Sequence, residues 1–197
     1  MVIQEKKMKA LETQLQLYFG IVQQEELQNI SSFFKHRSLK KGDYLLKYGQ
    51  KCQEMCFIQS GLLRIFVDTE DKEITQWIAT PDFFLTDLGA FIFETNSRWS
   101  IQALVPTEIY VINKKDYQQI SKVVPKWNEF EKCFLTKCFT MMEDRIFSHL
   151  SMTAEERYAL FYESNKSLFN QVPLQYIASM LGMIPETFSR IRKKHHA

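Results

Sequence analysis

The sequence predicts an α+β chain: a β-rich middle between helices, then a long helix and a terminal pair of short ones. Three observations carry this. From about Ser38 to Ile112, turn signals (Gly42-Asp43, Gly49-Gln50, Ser60-Gly61, Glu70-Asp71, Pro81-Asp82) separate short apolar and β-branched runs. Turns every ~8–12 residues indicate an antiparallel sandwich or barrel. From Lys126 to Leu150 there is no Gly or Pro, and apolar residues recur three or four apart, as in one long helix. From Val172 to Lys194, two short helical patterns flank Gly182, which suits a helix stop, and Pro185, which suits a helix start.

In chain order, Leu11, Leu15 and Phe19 mark an amphipathic helix over Met8–Phe19, and Leu27, Ile30 and Phe33 a second over Glu25–Phe34. Strands are expected near 44–47, 55–59, 62–68, 73–79, 99–105 and 107–112. In the long helix, Trp127, Phe130, Phe134, Cys138 and Met142 form one apolar stripe; Leu135, Phe139 and Ile146 form an adjacent one. At 1.5 Å per residue this helix spans ~37 Å. Its apolar surface either lies wholly on its own β domain or gives one stripe to an identical helix of a partner. Ser151-Met152 reads as a hinge. Thr153-Ala154-Glu155-Glu156 is a capping box that starts a new helix, and Ser164–Asn170 reads as a polar loop. Leu174, Ile177, Ala178 and Leu181 then face a core, as do Phe188 and Ile191 on the last helix. That leaves Glu186, Thr187, Ser189, Arg190, Lys193 and Lys194 mostly outward. A polar, cationic outer face on the second of two such helices is what entry into a DNA major groove requires.

Composition bounds the partners. Hydrophobic residues make up 45% of 197, enough for a real core. No apolar run approaches the ~20 residues of a membrane span. The opening MVIQEKKMKALETQL has no apolar signal core, so a cytoplasmic protein is expected. Net charge is +2, with six Lys/Arg against four Asp/Glu in residues 151–197 and nineteen of each sign before them. The excess lies at the C-terminal end, the electrostatic footprint expected of a DNA-reading helix. Four cysteines, Cys52, Cys56, Cys133 and Cys138, fit a reducing compartment. Their spacings match no common zinc pattern, so buried thiols are expected, with no metal and no cofactor.

LQYIASMLGMIPETFSRIRKK resembles the C-terminal helix-turn-helix of the Crp–Fnr superfamily of transcription regulators, whose pattern is close to "IA..LG...ET.SR". Ile177-Ala178, Leu181-Gly182, Glu186-Thr187 and Ser189-Arg190 match it. One departure is Ile184, where that family carries a capping Ser or Thr. KKGDYLLKYGQKCQEMCFIQSGLLRIF resembles the superfamily's cyclic-nucleotide-binding jelly roll, with Gly42, Gly49 and Gly61 at its turns. Glu156-Arg157-Tyr158 resembles the opening of its DNA-binding domain. The resemblance implies a jelly-roll (double-stranded β-helix) sensor over 1–125, a dimerisation helix over 126–150 and a winged-helix-like DNA-binding domain over 151–197. Only three residues follow Lys194, so the hairpin wing is not expected. The resemblance favours the partnered stripe and puts Phe130, Phe134, Cys138 and Met142 near a two-fold axis. It implies double-stranded DNA with an inverted-repeat operator as partner, and RNA polymerase as a further one. Glu186 and Arg190 would read bases; Thr187 and Ser189 would meet phosphates; Arg192, Lys193 and Lys194 would make charge contacts. The superfamily's oxygen sensors hold an iron–sulfur cluster near the N-terminus, and no Cys precedes Cys52.

The effector cassette departs from that family. Its binders of cyclic nucleotides carry Gly-Glu, then an Arg followed by small residues. In PDFFLTDLGAFIFETNSRWSIQALV, Leu85-Thr86, directly after Phe84, stands where Gly-Glu is expected. Arg98 falls one residue late and Trp99 stands where a small residue belongs. The expectation is a small-molecule effector other than classical cyclic AMP, or none. A metal-dependent cupin enzyme would need several histidines on the roll, and of His36, His149, His195 and His196 only His36 lies near it; no enzyme is expected. The alternative to a DNA-reading regulator is a small-molecule sensor whose C-terminal domain does not read DNA.

Overall fold

The computed structural model describes residues 2–21 and 23–195. Two helices come first, α1 (Val2–Phe19) and α2 (Gln24–Ser31). Leu11, Leu15 and Phe19 of α1 are buried, as their spacing requires. Eight strands come next: β1 (Lys35–Leu39), β2 (Tyr44–Leu46), β3 (Glu54–Ser60), β4 (Leu63–Asp68), β5 (Glu73–Ala79), β6 (Phe84–Leu85), β7 (Ser100–Ala103) and β8 (Thr107–Asn113). A short helix α3 (Leu88–Phe93) lies between β6 and β7. The strands make two four-stranded antiparallel sheets, in the orders β1-β8-β3-β6 and β2-β7-β4-β5. The six strands expected from turn spacing are present. β1 and β6 carry no such signal, because one is polar and the other is two residues long.

β1 is an edge strand of charged residues, with Arg37 bidentate on Glu54 at 2.8 and 2.6 Å and His36 at 2.6 Å from Glu108. Such charge blunts an edge against further pairing. Gly61 turns β3 into β4 with φ +93°, and a Cβ there would lie 2.4 Å from the Thr107 hydroxyl, so only glycine fits.

Helices and a 3-10 turn complete the chain: α4 (Lys114–Val123), α5 (Trp127–Ser151), α6 (Ala154–Asn165), the 3-10 turn Lys166–Asn170, α7 (Leu174–Met180) and α8 (Pro185–His195). The capping box at α6 is formed: Glu156 accepts from the Thr153 backbone N–H at 2.7 Å, and the Thr153 hydroxyl accepts from the Glu156 N–H at 3.3 Å. The segment 164–170 is not the polar loop expected. Leu168 and Phe169 are buried and drive it into a 3-10 turn on the second core.

The described residues form two apolar cores. The first fills the roll and takes in α1, α2 and the start of α5. The second gathers Tyr158, Leu168, Phe169, Ile177, Phe188 and Ile191. Leu62, Ile78 and Leu104 of the roll belong to this second core, so the C-terminal helices are packed on the sheet.

Candidate nucleic-acid interface and effector cleft

α7 ends in a Schellman motif. Gly182 takes φ +71°, its N–H donates to Ser179 O at 3.0 Å, and the Met183 N–H donates to Ala178 O at 2.9 Å. The chain reverses there, and α8 starts at Pro185, with the Ile184 carbonyl accepting from the Phe188 N–H at 3.1 Å. Phe188 and Ile191 bury the inner face of α8. Glu186, Ser189, Arg190 and Lys193 are all exposed and lie at i, i+3, i+4 and i+7, one stripe along its outer side. Among the described residues no ion pair joins Glu186 to Arg190, so both stay available. Thr187 and Arg192 are half-buried at the flanks. Lys194 reaches Glu155 of α6 at 3.2 Å, an exposed pair worth only ~0–1 kcal/mol and easily given up.

The five expected effector residues do not converge. Phe84 and Leu85 are buried in β6. The Phe84 ring meets Tyr18, Phe19 and Phe57 at 5.7, 5.5 and 5.3 Å, so the chain's own aromatics fill that region. The Thr86 hydroxyl donates to Glu54 O at 2.8 Å and lies 3.1 Å from the Cys52 sulfur. Arg98 is exposed, and Trp99 packs against the first core. The carboxylate sought at 85–86 stands one residue further on, at Asp87. It is buried, caps α3 by accepting from the Ala90 N–H at 3.1 Å, and accepts from the Ser97 hydroxyl at 2.9 Å and the Arg98 N–H at 3.0 Å. It therefore holds the 87–98 loop closed. The signal was present in the sequence: Asp87 precedes Ala90 by three residues, the spacing of a helix cap. A cleft of about 190 Å³ does remain between roll and α5, lined by Phe84 and Leu85 of the five, with Tyr18, Trp77, Phe134 and Arg145 among others; Thr86, Arg98 and Trp99 do not reach it.

Most of the α5 stripe expected near a two-fold axis faces the chain's own roll instead. Phe134 is 4% exposed and stacks flat on Phe19 at 4.6 Å. Phe130 and Cys138 pack at the margin of the same core, where burial pushes the Cys138 thiol up. These three face their own roll, because α1 supplies aromatic rings for them to meet. Met142 stays exposed. So do Leu135, Phe139, Ile146, Phe147 and Leu150, the last three at 56, 69 and 81%.

Residues 36–122 match the cyclic nucleotide-binding domain. No curated protein matches the chain. Among solved structures it is similar to FixK2 from Bradyrhizobium japonicum (15% identity, 83% of this chain and 84% of that one, TM-score 0.68). It is also similar to the c-di-GMP-responsive global regulator CLP of Xanthomonas campestris (14%, 88% and 92%, TM-score 0.64). The Thermus thermophilus catabolite activator protein matches at 21% identity over 90% of this chain and 85% of that one, with TM-score 0.56. The chain has a Crp–Fnr fold, and its roll is a domain of the cyclic nucleotide-binding type.

The joint between roll and C-terminal helices is specific. Arg64 of β4 is 1% exposed. Its guanidinium donates to Thr75 Oγ1 at 2.9 Å and Glu73 at 2.7 Å, and lies between the rings of Phe66 and Tyr176, at 4.2 and 3.6 Å. Tyr176 belongs to α7. Beside it, the Thr75 N–H of β5 donates to the Ser179 hydroxyl of α7 at 2.9 Å. Sequence reading missed Arg64, because a buried arginine inside a strand has no signature of its own.

Proposed function

We propose that this chain is a homodimeric, sequence-specific DNA-binding transcription regulator. Residues 1–125 serve as sensor, 126–150 as dimerisation helix and 151–197 as DNA-binding domain. The observation that carries it is the outer stripe of α8: Glu186, Ser189, Arg190 and Lys193 project together from a helix whose other side is anchored in the second core. Arg190 has the geometry to donate to guanine O6 and N7, and Glu186 to accept from cytosine N4. Ser189 and Thr187 suit phosphates, and Arg192, Lys193 and Lys194 supply general charge. The exposed stripe Leu135–Phe139–Met142–Ile146, with Leu150 beyond it, supports a two-fold partner, since apolar faces of this extent mark interaction surfaces. Two half-sites about one helical turn apart, ~34 Å, then suit the dimer.

The test is selection from random DNA, with binding then measured across a salt series. Arg190→Ala is expected to cost ~1–3 kcal/mol and relax preference at one base pair per half-site, while Lys193→Ala weakens all sequences alike and flattens the salt slope. Arg190→Ala retaining full sequence preference would overturn the base-reading role.

A further inference from the structure

A second cleft, of about 300 Å³, opens where α5, α6 and α7 meet the roll. Its walls mix rings and apolar chains (Trp77, Met141, Leu160, Phe161) with two arginines, Arg145 of α5 and Arg157 of α6. Arg145 donates to Met180 O at 3.1 Å, and its guanidinium lies 5.3 Å from the Trp77 ring centre. Arg157 donates to Leu181 O at 3.2 Å and Met152 O at 2.7 Å. Every one of these hydrogen-bond acceptors is a neutral carbonyl. Among the described residues neither guanidinium has a carboxylate within ion-pairing distance; Asp144 also lines the cleft but pairs with neither. Each guanidinium carries five N–H donors in a planar fork, more than these bonds use. Burial holds Arg145 below the ordinary guanidinium range, though it remains charged at neutral pH. Two half-buried guanidiniums beside an aromatic wall have no anionic partner among the described residues.

We propose that this cleft is a binding site for a small organic carboxylate with a flat apolar body, its carboxylate on Arg145 and Arg157 and its body against Trp77, Met141 and Phe161. Bidentate charge-assisted bonds suit the carboxylate, and the ring wall suits the body. The same guanidiniums hold the last carbonyls of α7, so an anion competing for their donors alters how firmly α7, and α8 behind it, are held. Only that regulatory consequence rests on the DNA-binding reading; the site itself does not.

The experiment titrates the full chain with 4-fluorobenzoate, monitored by fluorine NMR, without DNA. Its neutral isostere 4-fluorobenzamide and inorganic phosphate serve as comparisons. Saturable binding of 4-fluorobenzoate, at least tenfold tighter than the amide and not matched by phosphate, is expected. Arg145→Met should abolish the preference over the amide, and Arg145→Lys should retain part of it. Equal binding of benzoate and benzamide, no saturable binding, phosphate binding as tightly as benzoate, or an unchanged preference in Arg145→Met would each overturn the proposal. The comparison of ligands on the unmodified chain needs no variant to fold. In a separate DNA-binding assay, failure of the unmodified chain to bind DNA, with this charge preference intact, would sink the DNA reading alone.

Discussion

Ile146→Glu should abolish the proposed two-fold association without unfolding the chain. Ile146 is 56% exposed, so just over half of its burial remains to be gained from a partner. Full burial of an isoleucine is worth ~1.5–3 kcal/mol, which leaves ~1–1.5 kcal/mol per copy and ~2–3 kcal/mol across a two-fold axis. A glutamate there also brings two like charges to the seam, each unpaired, at ~1–3 kcal/mol per group left unsatisfied. The sum exceeds ~3 kcal/mol, more than a hundredfold in dissociation constant. Sedimentation equilibrium of both proteins at micromolar concentration measures it, with circular dichroism as the check on folding. The contrast is Phe134→Ala, which removes a ring stacked on Phe19 inside the first core and should cost ~3–5 kcal/mol of fold stability. Equal association constants for Ile146→Glu and the unmodified chain, with both folded, would refute the assignment of the exposed stripe to a partner.

Cyclic AMP and cyclic GMP should bind more weakly than micromolar by calorimetry, because the Asp87 carboxylate is already engaged by three donors and Phe84 lies among aromatic rings; micromolar affinity would count against this. The Glu156 carboxyl is held below its ordinary range by the Thr153 backbone N–H first and the Thr153 hydroxyl second. Its stabilisation of α6 is therefore complete above the unfolded value of ~4.3 and is lost as pH falls through the lower folded value. The gap between thermal melts of the unmodified chain and Glu156→Gln should accordingly narrow as pH falls below ~4.3, and a gap constant with pH would contradict it. Cys133 is exposed, whereas burial pushes the Cys56 thiol far up, so iodoacetamide should label Cys133 in the folded chain and Cys56 only on unfolding, as read by peptide mass spectrometry.

The features legible in the sequence were those that repeat or punctuate. The i, i+4 leucines of α1, the turn glycines, the Thr153 box and the Gly182–Pro185 reversal are local devices, and each stands where its chemistry required. The outer stripe of α8 was legible for the same reason, because its inner partners Phe188 and Ile191 fix its orientation. Long-range pairing was not. Nothing local in α5 says that Phe134 rather than Phe139 meets Phe19, since both lie on apolar stripes and the choice is made by a helix over a hundred residues earlier. Arg64 and Arg145 were equally silent, because the side chains, carbonyl and rings they meet are brought together by the fold.

The Thr75–Ser179 bond and the Arg64–Tyr176 stack also bear on tolerance to operator spacing. A reading head on a slack tether can adjust to half-sites that drift apart or rotate around the duplex. Here α7 is fastened to the roll at two points, and α8 is joined to α7 through a short reversal whose one left-handed position is Gly182. In a dimer held through α5, the gap between the two reading faces would then be a dimension of the scaffold. One base pair inserted between half-sites shifts the far one by ~3.4 Å and a tenth of a turn, and a scaffold so fastened absorbs little of that.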